Sequence, residues 1–189
     1  MTRIFRRTPF LGLFAALLLA GCGDDTPAPK PVALTRDAIG EYCNMIVADH
    51  PGPKAQVFEK GREKPLWFSS VRDAFAYLTL FGEAQRPIAV YVHDMGRAGD
   101  WKKPPSDGAW TKAKSAVYVI GSRKRGGMGA RETVPFADRK RADAFVAEHG
   151  GRVVAYSDIP REYIIGDKND YDTPGGESAS AGKPAASKE

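Results

Sequence analysis

The chain of 189 residues carries 28 lysines and arginines against 23 aspartates and glutamates, and its formal charge is +5. This length fits one domain with a modest hydrophobic core. Its only two cysteines, Cys22 and Cys43, exclude a framework of several disulfides.

The N terminus has the organisation of an export signal. Three arginines precede an apolar run that is too short to remain in a bilayer as a spanning helix. The run ends in Leu-Ala-Gly-Cys at residues 19–22, a string that resembles the lipobox of bacterial lipoproteins. We therefore predict that residues 1–21 are removed and that Cys22 is lipidated; an ordinary secretory signal with an incidental cysteine is the alternative. Gly23 after the cysteine favours the outer membrane as the site of anchoring in the periplasm.

Processing changes the charge and leaves two polar ends on the mature chain. The remaining 168 residues have a formal charge of about +2, so nucleic acid is not an expected partner. Residues 22–35 are rich in proline, aspartate and alanine, and they predict a flexible tether. Residues 166–189 have almost no apolar side chains, and they predict a disordered tail.

The first half of the domain predicts strands at Ala55–Glu59, Leu66–Phe68 and Ile88–Val92. A helix between the last two strands can begin after Ser69 or Ser70 and end at Gly82. Its apolar face would consist of Val71, Phe75, Leu78 and Phe81.

The second half predicts a similar succession. Strands are expected at Ala116–Ile120, Arg131–Phe136 and Val153–Tyr156, with a helix capped by Asp138 and closed by the glycines at 150–151. Both helices contain Asp-Ala-Phe, at 73–75 and 143–145. The interpretation is an α+β protein with two β-β-α-β modules, residues 36–97 and 113–165, joined by a connector loop at 98–112.

Cys43 is the only thiol left once Cys22 is lipidated, and in an oxidising compartment a protein either buries such a residue or uses it. If Cys43-Asn44-Met45 is extended, residues i and i+2 point to the same side, so that a thiolate and a thioether can bind one ion. Both are soft donors, a pairing that selects Cu(I) over hard cations. Packing of both side chains in the core is the alternative.

Two further residues are candidate ligands. Met128 lies in a glycine-rich turn at 126–129, which could present its sulfur, although a methionine tucked under a hairpin has the same sequence pattern. His50 precedes Pro-Gly-Pro, and it either binds copper or lines a turn.

Other polar residues carry weaker alternatives. His93 and Met95 form a rival i, i+2 pair without a thiolate, at a strand end that we expect to be solvated. His149 at the end of the second helix is expected to interact with free carbonyl groups. The basic run at 123–125 predicts a solvated turn, or a surface that steers docking to an acidic partner.

Several short motifs occur together in one order: the lipobox, CNMIV at 43–47, DHPGPKAQ at 49–56, WFSS at 67–70, YVIGS at 118–122 and GMG at 127–129. In this order they resemble the nitrous oxide reductase accessory lipoprotein family, NosL, over residues 20 to 160. The resemblance implies two β-β-α-β modules and a Cu(I) chaperone that supplies the copper centres of nitrous oxide reductase in denitrification. It also implies docking on a maturation complex with an ABC transporter and its periplasmic partner, and the reductase itself is a further candidate acceptor.

The resemblance also carries over to individual residues. It implies that Cys43 and Met45 are copper ligands and that Met128 is an additional one. Asn44 stands in place of the glycine in the family pattern Cys-Gly-Met, so the backbone conformation of this segment is in question.

Two other function classes compete with the copper chaperone. One is an assembly or scaffold lipoprotein that binds a periplasmic partner and no metal. The other is a thiol enzyme, which needs a base or a resolving thiol beside Cys43; the sequence offers neither clearly, and we expect a protein without enzymatic activity.

Overall fold

The computed structural model describes residues 27–85, 87–103 and 107–166, so the predicted signal peptide, Cys22 and the predicted disordered tail beyond Gly166 lie outside the described residues. The described chain is a mixed α/β domain with two antiparallel sheets. Its strands are β1 (Ala55–Glu59), β2 (Leu66–Phe68), β3 (Pro87–His93), β4 (Trp110–Lys112), β5 (Val117–Ile120), β6 (Val134–Phe136) and β7 (Arg152–Ala155), and its helices are α1 (Val71–Gln85), α2 (Met95–Ala98), α3 (Arg139–His149) and α4 (Arg161–Ile165).

The first sheet has the strand order β2-β1-β3-β4. β1 is buried along its whole length because it pairs on both sides, with Ala55 opposite Phe68 of β2 and Val92 of β3. β4 continues the sheet at its edge, where Trp110 pairs with His93. The connector at 98–112, which we predicted to be a loop, therefore contains a strand.

The second sheet has the strand order β6-β5-β7, with Val117 of β5 opposite Phe136 and Ala155. The elements of both sheets thus follow one another along the chain as strand, strand, helix, strand, and β4 is an additional strand of the first sheet. The origin of the two halves from a sequence repeat stays a prediction.

The caps of the long helices follow from the sequence. Ser70 Oγ accepts the backbone N–H of Asp73, and Asp138 accepts that of Lys140. The predicted end of α1 is wrong, because the helix continues through Gly82 to Gln85. Phe81, assigned to the buried face, is half exposed and packs on Tyr77.

One hydrophobic core joins the two halves through α1. Phe75 of this helix is buried, and its ring meets the ring of Tyr118 of β5 edge-on, with centroids 5.3 Å apart. Buried side chains of β1, β5 and α4 complete the same cluster. A second cluster under α3 includes Met95, Val119 and Phe136. Each half therefore holds the other in place.

The described part of the predicted tether contacts the domain. Val32 exchanges two backbone hydrogen bonds of 3.0 Å with the side chain of Gln56, and Pro29 O accepts the hydroxyl of Tyr91 at 2.8 Å. Leu34 is buried in a small third cluster. This stretch is therefore bound along the first sheet. Across the described residues, no helix has the length and apolar character needed to cross a membrane.

Candidate functional site

Cys43 lies in a tight loop whose ends are tied together by the backbone. Ile39 and Ile46 form an antiparallel bridge, Gly40 N donates to Met45 O at 2.9 Å, and Asn44 N donates to Gly40 O at 2.9 Å. Asn44 has φ +52°, in the left-handed region. The extended backbone that the i, i+2 argument requires is therefore absent from this loop.

The positive φ explains the residue at position 44. Glycine adopts this conformation freely, and asparagine is among the few other residues that tolerate it. Asn44 thus allows the backbone conformation that a glycine between the cysteine and the methionine would allow.

The Cys43 thiol is half-buried, and three groups define its surroundings. Ser69 Oγ lies 3.7 Å and Met45 O lies 3.9 Å from Sγ. The Cα of Gly40 faces the sulfur so closely that a Cβ there would collide with it. The thiol is accordingly accessible from one side and packed against backbone on the other. Met45 itself is 43% exposed.

Met128 lies at the tip of a hairpin loop that meets the same region from the second sheet. Gly126 N donates to Ala130 O, and Met128 is 47% exposed. The Cα of Gly127 packs so closely that a Cβ would come within 2.6 Å of Ser69 O and 2.9 Å of the Cβ of His50. Ser69 therefore contacts both the loop of Cys43 and the loop of Met128.

His50 is oriented by the same loop. Its Nδ1 lies 3.1 Å from Gly127 O. A carbonyl oxygen only accepts hydrogen bonds, so Nδ1 carries the proton and the lone pair stays on Nε2. This arrangement, in which one imidazole nitrogen is held by a carbonyl, is typical of histidines that bind metals through the other nitrogen.

The four predicted ligand residues thus lie around one junction. Cys43 and His50 contact it through Ser69 and Gly127, and Met45 and Met128 extend from the adjoining loops. No group of three or more His, Cys, Asp or Glu side chains suited to a metal occurs in the described part of the chain. Methionine sulfur beside a thiol and an imidazole suits a soft ion such as Cu(I) and not a hard cation.

Two buried charged residues lie beneath the junction. Lys54 is fully buried, and its Nζ donates to the carbonyl oxygens of Pro51 (2.9 Å) and Gly52 (2.6 Å). Burial lowers the pKa of Lys54 to about 8, against the opposing charges of Glu132 and Cys43.

Glu132 is the buried acidic counterpart. Its Oε1 accepts the backbone N–H groups of Arg72 (3.0 Å) and Thr133 (2.8 Å), and Oε2 lies beside Gly126 and Ser70. Burial raises its pKa to about 7, although the two backbone hydrogen bonds lower it. Lys54 and Glu132 were not among the predicted site residues, since their roles depend on contacts between distant segments.

The rival pair of His93 and Met95 is unsuited to a carrier. His93 is fully buried with its ring against Trp110, centroids 3.9 Å apart, and Met95 packs in the core under α3. The expectation of a solvated strand end is therefore wrong. Burial, and then the charge of Lys54, lowers the pKa of His93 to about 3, so the ring is neutral.

The basic run and His149 meet at the end of α3. Arg123 donates to Glu148 O, and its backbone N–H donates to His149 O, so arginine rather than His149 satisfies the helix carbonyls. The ring of His149 packs on Phe145. Lys124 lies over the ring of Trp101. The run at 123–125 is thus structural in part and not merely a solvated turn.

Comparison with known proteins shows the family to which the chain belongs. A family model described as NosL matches residues 31–164. This chain belongs to the NosL family. The copper-binding lipoprotein NosL of Achromobacter cycloclastes is 46% identical over 161 residues, which cover 84% of this chain and 83% of that protein. The copper-binding lipoprotein NosL of Stutzerimonas stutzeri is 35% identical over 157 residues, which cover 82% of this chain and 80% of that protein.

A solved structure extends the comparison to the fold. The crystal structure of the copper chaperone NosL from Shewanella denitrificans matches with a TM-score of 0.63 at 33% identity, covering 70% of this chain and 96% of that chain. The resemblance seen in the motifs is therefore confirmed. The names of these NosL proteins describe copper binding and a chaperone role and no enzymatic reaction, in agreement with the expectation of a protein without enzymatic activity.

Proposed function

We propose that this protein is a Cu(I) chaperone of the periplasm, anchored to the outer membrane through lipidated Cys22, that delivers copper for the copper centres of nitrous oxide reductase. Copper is its cargo. The names of its relatives support copper binding, and the junction at Ser69 and Gly127 supports a site for it. Cys43, Met45 and Met128 supply the sulfur donors, and His50 supplies an imidazole nitrogen.

The observation that carries the proposal is the meeting on one serine of two loops that are far apart in the sequence. Ser69 Oγ lies 3.7 Å from Cys43 Sγ, while its carbonyl oxygen packs against Gly127, next to Met128. A half-buried thiol with partly exposed methionines leaves one side of a bound ion open to an incoming ligand. Such an ion can leave by ligand exchange without unfolding of the carrier.

The acceptor in this proposal is a maturation complex that contains an ABC transporter and its periplasmic partner. Nitrous oxide reductase itself is a second possible acceptor. The exposed sulfur ligands support direct transfer, since an acceptor's soft ligands can reach the ion while it is still held by Cys43.

Cu(I) competition with a chromophoric chelator under reducing conditions tests the site. For this test the mature chain is prepared with the substitution Cys22→Ser, so that Cys43 is its only thiol. Cys43→Ser should weaken Cu(I) binding by at least 100-fold. Met45→Leu, Met128→Leu and His50→Gln should each weaken it about tenfold, which corresponds to about 1.4 kcal/mol. Met95→Leu is the matched control, because this methionine is buried in the core under α3.

X-ray absorption of the Cu(I)-loaded variants gives an independent result. Each Met→Leu change at a true ligand should remove one sulfur neighbour, whereas Met95→Leu should remove none. Wild-type affinity in Cys43→Ser would exclude the site. A thermal midpoint that does not rise with Cu(I) would favour the scaffold protein instead, because a ligand that binds the native state must stabilise it.

A further inference from the structure

A second concave surface lies away from the junction, between the C-terminal half of α1 and the beginning of β3. The groove has a volume of about 420 Å³. Leu78 and Gly82 form one wall, Ile88 and Val90 form another, and Tyr156 lies against them. Ile88 is 48% exposed although it is large and apolar. An apolar groove that exposes a large side chain can serve as an interaction surface.

The position of the chain's N-terminal segment points to the partner. Ala28 lines the groove, and the hydrogen bond from Tyr91 to Pro29 O holds the chain beside it. Cys22 is only six residues before Ala28, a span of about 20 Å at most when fully extended. A lipid attached to Cys22 therefore keeps the groove close to the membrane surface.

The charge at the rim fits the same partner. Among the described residues that line the groove, the charged ones are Lys112 and Lys114, and both are exposed. Lysines at the edge of an apolar surface are suited to lipid phosphates, while the apolar part faces the acyl region.

The helical wall of the groove lies away from the copper junction. Ser69 and Ser70 precede the first turn of the helix, and Gly82 is roughly 18 Å further along its axis. Because the junction is not part of the groove, a domain that rests on a membrane through the groove would leave the junction accessible to an acceptor.

We propose that this face is a membrane-docking surface that holds the domain on an anionic phospholipid bilayer, with Lys112 and Lys114 at the phosphates and the groove against the acyl chains. The inference relies on the proposed anchoring through Cys22. It adds an orientation to the proposed function: the lipid sets the distance from the membrane, and the groove sets which face of the domain lies on the membrane.

Vesicle co-sedimentation of the mature chain with Cys22→Ser tests the surface without the anchor. Binding to phosphatidylethanolamine vesicles that contain phosphatidylglycerol should exceed binding to phosphatidylcholine vesicles and should fall with salt. Each lysine near an anionic surface contributes about a fivefold factor, so Lys112→Gln with Lys114→Gln should lower the partition coefficient about 25-fold. The matched control is Lys102→Gln with Lys103→Gln, an exposed pair outside the groove, which should change it much less.

The apolar part has its own matched pair of variants. Ile88→Ser should lower partition severalfold, whereas Leu80→Ser should not, because Leu80 is 52% exposed on α1 but does not line the groove. All variants should keep the Cu(I) affinity of the parent, so loss of docking and loss of copper binding are separate outcomes.

Hydrogen exchange on the lipidated full-length mature chain in nanodiscs completes the test. Peptides covering residues 87–91 and 110–115 should exchange more slowly in anionic nanodiscs than in zwitterionic ones. Equal protection in both would assign the groove to the protein's own acyl chains, and protection that depends on protein concentration would assign it to a second copy. Either result, or vesicle binding that is equal for the groove variants and their controls, overturns the proposal.

Discussion

The carboxylate of Glu132 accepts the backbone N–H of Arg72 at 3.0 Å, across 60 positions of the sequence. Arg72 is in the first turn of α1, so a residue from the second half caps the helix of the first half. The same carboxylate lies beside Gly126, in the loop that carries Met128. The end of α1, Ser69 and the Met128 loop are consequently held as one unit around the proposed copper site.

In the copper-free domain, Glu132 and His93 should make the unfolding free energy depend on pH in opposite directions. Glu132 has a raised pKa of about 7, so the folded state holds more protons than the unfolded state between pH 4.5 and 7, and this contribution to stability falls as pH rises. His93 has a pKa lowered to about 3, so its contribution falls as pH drops below 6.5. The two effects should largely cancel between pH 6.5 and 4.5.

Substitution of one of the two residues should reveal the pH dependence that the other contributes. Glu132→Gln should make the domain less stable as pH falls from 6.5, by up to about 1.4 kcal/mol per pH unit, whereas His93→Gln should make it more stable over the same range. Denaturant unfolding at several pH values measures both slopes. Parallel slopes in all three proteins would contradict the assignment.

Gly40 should be required for the position of the thiol. In Gly40→Ala the new Cβ occupies the space of Cys43 Sγ, so the sulfur must move. We expect Cu(I) binding to weaken at least tenfold and the domain to lose about 1–3 kcal/mol of stability.

The control for this change is Gly82→Ala. Gly82 lies within α1, and the nearest atom to an added Cβ is 4.0 Å away. That variant should gain about 0.5–1 kcal/mol of stability and keep its copper affinity. Unchanged copper affinity in Gly40→Ala would show that the thiol does not need its observed place.

The sequence predicted those elements whose signals are local. β1 and β2 have the predicted bounds, and Asp138 caps α3 as expected, because strand patterns and caps depend on neighbouring residues. β4 was missed because Trp110–Lys112 follows a loop rich in proline, glycine and lysine, and only pairing with β3 makes it a strand.

Some residues of the candidate site could likewise be predicted from the sequence and others could not. Cys43 and the methionines could be selected by residue type, since thiol and thioether groups are rare and chemically distinctive. Ser69 and Gly127 could not, because their role lies in contacts such as that between His50 and Gly127, 77 positions apart. The turn at Asn44 was also missed, because the i, i+2 argument assumed an extended backbone.

At position 44 a glycine should give a more stable protein than an alanine, which is the reverse of the usual order. At most positions glycine is less stable than alanine by about 0.4–1 kcal/mol, because it adds entropy to the unfolded chain. At φ +52° alanine is strained by about 1–2 kcal/mol, so Asn44→Ala should be less stable than Asn44→Gly. Thermal unfolding of the two variants measures the difference, and a more stable Asn44→Ala would contradict the left-handed turn.

Gly127 should act on copper binding by holding the Met128 loop and His50 in place. An added Cβ would press on Ser69 O and on the Cβ of His50, so Gly127→Ala should displace the loop and weaken Cu(I) binding about tenfold. Because Met128→Leu removes one of the two ligands that Gly127 holds in place, the double variant should lose less than the sum of the two single losses. Gly129→Asn is the control, since its added Cβ meets no atom within 4 Å and asparagine tolerates φ +80°. Chelator competition on the four proteins measures the coupling, and fully additive losses would mean that Gly127 and Met128 act independently.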